Sequence, residues 1–109
     1  MKKTLNLVLA GVTAMGLALS AHAEDYITLA STTSTENSGL FDSILPKFEE
    51  ASGIAVRVVA VGTGQAFELA RRGDADSLLV HDTAGEKRFI ENGYATERAD
   101  VMYNDFVLI

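Results

Sequence analysis

Two short stretches carry residue types and spacings that could do chemistry. Ser31-Thr32-Thr33-Ser34-Thr35 sets five hydroxyls in a row, and Gly62-Thr63-Gly64-Gln65 sets one hydroxyl between two glycines. Each stands just ahead of an apolar pattern with helical spacing. A helix start presents backbone N–H donors without partners, at the positive end of the helix dipole. The hydroxyls add neutral donors, and Gly62 and Gly64 let the backbone approach a ligand closely and allow positive φ. The sum is a cradle of neutral donors for a small oxyanion. Ser and Thr ahead of a helix also serve simply as caps, so at the level of pattern capping and anion binding both stand.

Other chemistries have weaker support. Gly62-Thr63-Gly64 lacks the Gly-Lys-Ser/Thr ending of a nucleotide-binding loop and the third glycine of a dinucleotide fingerprint. His81 beside Asp82 has the composition for acid–base work, yet no nucleophile motif accompanies it and no serine stands in a Gly-x-Ser-x-Gly elbow. Asp74, Asp76 and Asp82 lack the spacing of a calcium loop and read as turn and strand-end residues. The chain has no Cys, which excludes disulfides, zinc knuckles, iron–sulfur sites and thiol nucleophiles. A net charge of -6 excludes a basic nucleic-acid clamp, and 48% hydrophobic residues exclude a disordered tail.

The elements that must position the two stretches read as an alternating α/β chain. Tyr26 to Ala30 is a β-rich first strand, and Ser31 to Gly39 a polar loop. Leu40, Phe41, Ile44, Leu45, Phe48 and Ala51 recur at helical spacing, with Asn37 or Ser38 as N-cap and Gly53 as stop. Pro46 predicts a kink or restart near Leu45. Ile54 to Val61 is nearly continuous and β-branched, as in a strand covered on both faces. A short helix from Ala66 ends at Gly73, Ser77 to Val80 is a third strand, and Ala84 to Glu91 a further helix with Phe89 and Ile90 inward and Gly93 at its stop. Val101 to Ile109 reads as a last strand. This order predicts a parallel sheet, and both polar stretches then lie at the carboxyl ends of strands, where ligands bind in such sheets. Glu49, Glu50, Arg71, Arg72, Glu86, Lys87 and Arg88 read as solvated outer helical faces.

The first 23 residues read as an address. Lys2-Lys3 precedes an uncharged run from Leu5 to Leu19, and Ala21-His22-Ala23 is a small-x-small cleavage site. The run is shorter than the ~20 residues of a membrane span. Residues 1–23 are therefore expected to be a signal peptide and 24–109 the exported part, soluble and not membrane-inserted after cleavage. Losing Lys2 and Lys3 leaves seven cations against fifteen acids, a net of about -8. The apolar run Phe106-Val107-Leu108-Ile109 ends the sequence without any turn residue. An apolar strand left so would be a sticky edge, and the expectation is a fragment of a longer protein.

Four motifs in order carry a resemblance that spans residues 26–109: Ser31-Thr32-Thr33-Ser34-Thr35-Glu36-Asn37-Ser38-Gly39-Leu40, Val61-Gly62-Thr63-Gly64-Gln65-Ala66, Asp74-Ala75-Asp76 with Leu78-Leu79-Val80-His81, and Met102-Tyr103-Asn104-Asp105-Phe106-Val107. The chain resembles the tungstate-binding periplasmic components of ABC transporters, within the wider class of two-lobed solute-binding proteins for oxyanions. The resemblance implies one parallel-sheet α/β lobe of a periplasmic-binding-protein-like fold, truncated before the second lobe. It implies a non-enzymatic solute-binding component of an ABC importer, located in the periplasm. Tungstate or a similar tetrahedral oxyanion is the implied ligand, bound without a cofactor, and the importer's membrane permease and ATPase are the implied partners. Ser31, Thr32, Thr33, Ser34, Gly62, Thr63 and Gly64 match the family's donor positions. Ser31 stands where threonine is commoner, and Ser77 where an aliphatic residue is. The family's second-lobe arginine has no counterpart here, so the sequence holds half of a site.

Molybdate, sulfate and phosphate remain alternatives. Phosphate still carries a proton at neutral pH and wants an acceptor carboxylate, for which the two loops offer only Glu36. An exported phosphate-ester hydrolase using His81 as base is the alternative of another class.

Overall fold

The computed structural model describes residues 24–103 and 107–109. The expected signal peptide, residues 1–23, lies outside the described residues. From Tyr26 onward the order is β1 (Tyr26–Thr32), α1 (Thr33–Asn37), α2 (Leu40–Ser52), β2 (Ala55–Val61), α3 (Thr63–Arg71), β3 (Ser77–Leu79) and α4 (Thr83–Glu91). The three strands form a parallel sheet in the order β2-β1-β3.

This order follows from the sequence of crossovers. The β1→β2 connection moves one way across the sheet, and β2→β3 moves back past β1 to its other edge. Right-handed crossovers running in opposite directions put α1–α2 and α3 on opposite faces. The central strand is accordingly the most buried: Leu29, Ala30, Ser31 and Thr32 are all inaccessible or nearly so. α3 lies across all three strands. Ala66 of α3 is fully buried, and its small side chain suits the close packing of α3 on β1. α4 packs on α3 through Phe67 and Phe89, whose ring centroids are 5.4 Å apart, and Tyr94 extends the stack at 5.4 Å from Phe89. On the opposite face Phe41 of α2 is buried.

Several expectations need revision. The hydroxyl stretch is not a loop: β1 runs on through Ser31 and Thr32, and Thr33–Asn37 forms α1. Thr32 caps this added helix, its Oγ1 accepting from the Thr35 N–H at 3.3 Å; in α2, for which Asn37 or Ser38 was the expected N-cap, Gly39 holds that position and Ser38 Oγ accepts from the Leu40 N–H at 3.3 Å. The helical break falls at Ser38–Gly39, where Gly39 takes φ 80, not at Pro46. α2 continues through Pro46 to Ser52 and ends as expected at Gly53, whose φ of 74 suits a residue without Cβ. β2 is an edge strand with Arg57 and Val59 exposed, so it is not covered on both faces. Its outward Val56 N–H is taken by the Glu49 carboxylate at 3.0 Å, which blunts the open edge. Glu49 is thus more than solvated surface, and so is Glu86, which accepts from Arg98 Nε at 2.6 Å. Val101–Tyr103 and Val107–Ile109 are not strand. Residues 104–106, the middle of the expected last strand, lie outside the described residues. No helix of the described residues is long and apolar enough to cross a membrane.

Candidate functional site

The two polar stretches come together because their strands are adjacent and in register. Thr32 at the end of β1 pairs with Val61 at the end of β2, so α1 and α3 start side by side at the carboxyl edge of the sheet. Parallel neighbours lie about 4.8 Å apart, within the reach of one small ligand. In α3 the first helical bond is Ala66 N–H to Gly62 O at 2.9 Å. The N–H groups of Thr63, Gly64 and Gln65 precede it and have no helical partner. In α1 those of Thr33 and Ser34 precede the Thr35 N–H that Thr32 caps.

Each hydroxyl has a distinct place. Ser31 is fully buried, and its O–H donates to the Leu79 carbonyl at 2.6 Å, tying the ends of β1 and β3 together. Its single proton is used inside the protein. Thr32 is also buried, with Oγ1 2.8 Å from Thr35 Oγ1 and 3.1 Å from Ser34 Oγ. Thr33 and Ser34 are exposed, and Thr63 is half-buried. Capping and donor presentation therefore divide by residue: Ser31 and Thr32 hold the turn, while Thr33, Ser34 and Thr63 stand at its surface.

The glycines act through space, not through φ. Gly62 has φ -67, and Gly64 is helical, so neither uses the left-handed freedom expected of it. A Cβ at either would meet nothing within 4 Å. Internal packing thus gives no reason for the missing side chains, and the open space lies beside the free N–H groups. Gly85 of α4 is the opposite case. A Cβ there would stand 2.8 Å from Asp82 Cγ and 3.1 Å from Phe67 Cε2, so packing alone demands glycine.

His81 joins the site from an unexpected side. It is exposed two residues past β3, and its Nε2 lies 3.4 Å from Ser34 Oγ. Beside Asp82 in the sequence it reads only as an acid–base candidate. Its real neighbour became visible only with the strand order, which sets the end of β3 beside β1. The aspartates behave as expected of turn and strand-end residues. Asp76 accepts from the Thr28 N–H at 2.8 Å, Asp82 accepts from the Gly85 N–H at 3.0 Å as cap of α4, and Asp74 pairs with Arg72 at 3.0 Å.

Gly64 also borders a groove of about 260 Å³ between α3 and α4, lined further on by Phe67, Glu68, Arg71, Arg88 and Tyr94. Arg71 there is bound in a two-pronged pair by Glu68, with Nε to Oε2 at 2.9 Å. The hydrogen bond from Arg71 holds the Glu68 carboxyl below its ordinary range and raises the guanidinium correspondingly. No group of three or more metal-ligating side chains occurs among the described residues. The arrangement can offer neutral N–H and O–H donors to an anion.

Comparison with known proteins identifies the family. A family model described as a PBP superfamily domain matches residues 18–109. The tungstate-binding protein TupA of Peptoclostridium acidaminophilum is 54% identical over 87 residues, covering 80% of this chain and 30% of the relative. Among solved structures, the tungstate ABC transporter protein from Geobacter sulfurreducens superposes with a TM-score of 0.73 at 46% identity, covering 76% of this chain and 36% of that one. The tungstate binding protein TupA from Desulfovibrio alaskensis G20 gives 0.72 at 46% identity, covering 74% and 32%. The chain spans about a third of the length of these proteins.

Proposed function

Because the chain belongs to the PBP superfamily domain family, we propose that it is the first-lobe part of a periplasmic solute-binding component of an ABC importer, and that its ligand is tungstate. The observation that carries this reading is the pairing of Thr32 with Val61, which sets two helix starts beside one open space. The printed names of the relatives supply the identity of the anion.

In this reading the direct donors are the hydroxyls of Thr33, Ser34 and Thr63 and the N–H groups of Thr33, Ser34, Thr63 and Gly64. Ser31 and Thr32 keep the turn in shape, and Gly62 and Gly64 leave room for the ligand's oxygens. A fully deprotonated dianion suits such a site, since it accepts at every oxygen and needs no acceptor in return. A second lobe would close over the exposed side, exclude water and strengthen each contact. The permease and ATPase of the importer are the partners of the closed form, and residues 1–23 are the signal that exports the chain. The reading assigns His81 no catalytic role.

Titration calorimetry of the full-length protein with sodium tungstate tests the proposal. Saturable binding is expected, with sodium sulfate and sodium phosphate weaker. Saturation by sulfate or phosphate with no response to tungstate would overturn it.

A further inference from the structure

Resting on the oxyanion reading of this site, we propose that Asp76 is a positioning residue for it, acting through β3 on the turns that hold the ligand. The stretch Asp74-Ala75-Asp76 with Leu78 to His81 supplies none of the proposed donors. It supplies a strand of three residues, Ser77–Leu79, that is fixed at both ends. At its start Asp76 meets Thr28 of β1 twice. The Asp76 N–H donates to the Thr28 carbonyl at 2.9 Å, and the Asp76 carboxylate accepts from the Thr28 N–H at 2.8 Å. In a longer parallel strand a backbone carbonyl two residues earlier would take that N–H. Here the chain is still turning out of α3, with the Asp74 N–H on the Leu69 carbonyl at 2.9 Å, and the Asp76 side chain stands in. At the finish of β3 the Ser31 O–H donates to the Leu79 carbonyl at 2.6 Å. Between these bonds β3 is paired with β1 only from Leu29 to Ser31, and a slip by one residue would turn each of its side chains to the other face.

The register of β3 reaches both ligand-holding turns. Through the Leu79 carbonyl it holds Ser31, which directly precedes the cap Thr32 and the donors Thr33 and Ser34. It also forms part of the seat of α3, which lies across all three strands and presents Thr63 and Gly64 at its first turn. Asp76 itself does not touch the ligand. Thr28 stands four residues before Thr32, about 13 Å along the strand, beyond a Debye length of about 8 Å. The charge of Asp76 and its bonds also act with opposite signs. Removing a negative charge favours an anion, whereas loosening β3 misplaces the donors and disfavours it. Glu49 provides a matched control on the other edge of the sheet. Its carboxylate likewise accepts from a strand N–H, that of Val56, at 3.0 Å, and Val56 pairs with Ile27, next to Thr28. But β2 is paired with β1 along its whole length from Ala55 to Val61, so its register does not depend on that one bond.

The experiment is calorimetric titration of the full-length protein with sodium tungstate, for the wild type, Asp76→Ala, Asp76→Asn, Asp76→Glu and Glu49→Ala, with urea unfolding of each. Asp76→Ala and Glu49→Ala should both lose stability, but only Asp76→Ala should lose affinity, by about two- to thirtyfold, the range carried by residues that touch no ligand. Asp76→Asn keeps an acceptor oxygen in place and should bind close to the wild type. Asp76→Glu keeps the charge but carries the carboxylate one methylene further out, so its affinity should also fall, and it gives the reading if Asp76→Ala does not fold. Unchanged or tighter tungstate binding in the folded Asp76→Ala and Asp76→Glu proteins, or an equal loss in Glu49→Ala, would overturn this inference and leave the proposed function standing. No tungstate binding by the wild type would overturn the function and this inference with it.

Discussion

Gly64→Ala separates what the protein needs for folding from what it needs for its ligand. Gly64 is the second residue of α3, in ordinary helical geometry, and a Cβ there would meet no atom within 4 Å. Replacing a helical glycine by alanine in open space is expected to stabilise the fold by about 0.4–1 kcal/mol, because the unfolded chain loses freedom. The methyl group would project into the same space that an oxyanion must enter to reach the Thr63 and Gly64 N–H groups. Losing one hydrogen bond to a charged ligand costs about 1.5–3 kcal/mol, or a ten- to hundredfold loss of affinity. Gly85→Ala is the control. It also lies in the first turn of a helix, but its Cβ would crowd the Asp82 carboxyl group and Phe67, so it should lower stability by about 1–3 kcal/mol. Urea unfolding read by circular dichroism gives the stabilities, and calorimetric titration with sodium tungstate gives the affinities. Unchanged tungstate affinity in a folded Gly64→Ala protein would refute the reasoning, since the open space would then have nothing to do with the ligand.

The double change Thr33→Ala with Thr63→Ala should weaken tungstate binding by about 1–3 kcal/mol for each donor left unreplaced. Calorimetry is the check, and unaltered affinity would place the ligand elsewhere. Ser31→Ala should act on stability: it leaves the Leu79 carbonyl without its buried partner, a loss of about 1–3 kcal/mol in urea unfolding. A change in tungstate affinity with no change in stability would instead make Ser31 a direct ligand.

The elements were legible because each carries its own local signal. The α2 stripe from Leu40 to Ala51, the stop at Gly53, and the β-branched run of β2 are all readable within a window of a few residues. What the sequence hid was set by neighbours distant along the chain. The hydroxyls of Ser31 and Thr32 look alike in a row of five, yet one is taken by a carbonyl 48 residues away and the other by the next turn. Continuation of β1 into the polar stretch depends on Thr32 finding Val61 as its partner. The exposure of Arg57 and Val59 depends on β2 being at the sheet's edge, which its composition alone does not encode. Of the two reasons the sequence offers for Gly62 and Gly64, positive φ is overturned, since their torsions are ordinary, while the open space beside them agrees with close approach of a ligand.

Strand order also explains why three chain segments, rather than two, meet at the site. In the order β2-β1-β3 the helix after β1 and the helix after β3, which packs on α3, lie on opposite faces, and the opening between those strands is where open α/β sheets receive ligands. The Ser31–Leu79 bond closes the floor of that opening. The Ser34–His81 contact spans its rim. With a Debye length of about 8 Å at physiological salt, the chain's excess of acidic residues reaches little beyond its own surface, and local donors decide the recognition. The β1 and β2 turns provide donors whose charge is fixed by the backbone and by hydroxyls, so their strength does not vary with pH. The β3 turn contributes the Leu79 carbonyl that holds Ser31 in place, so its part is to fix the geometry in which the first two turns present those donors.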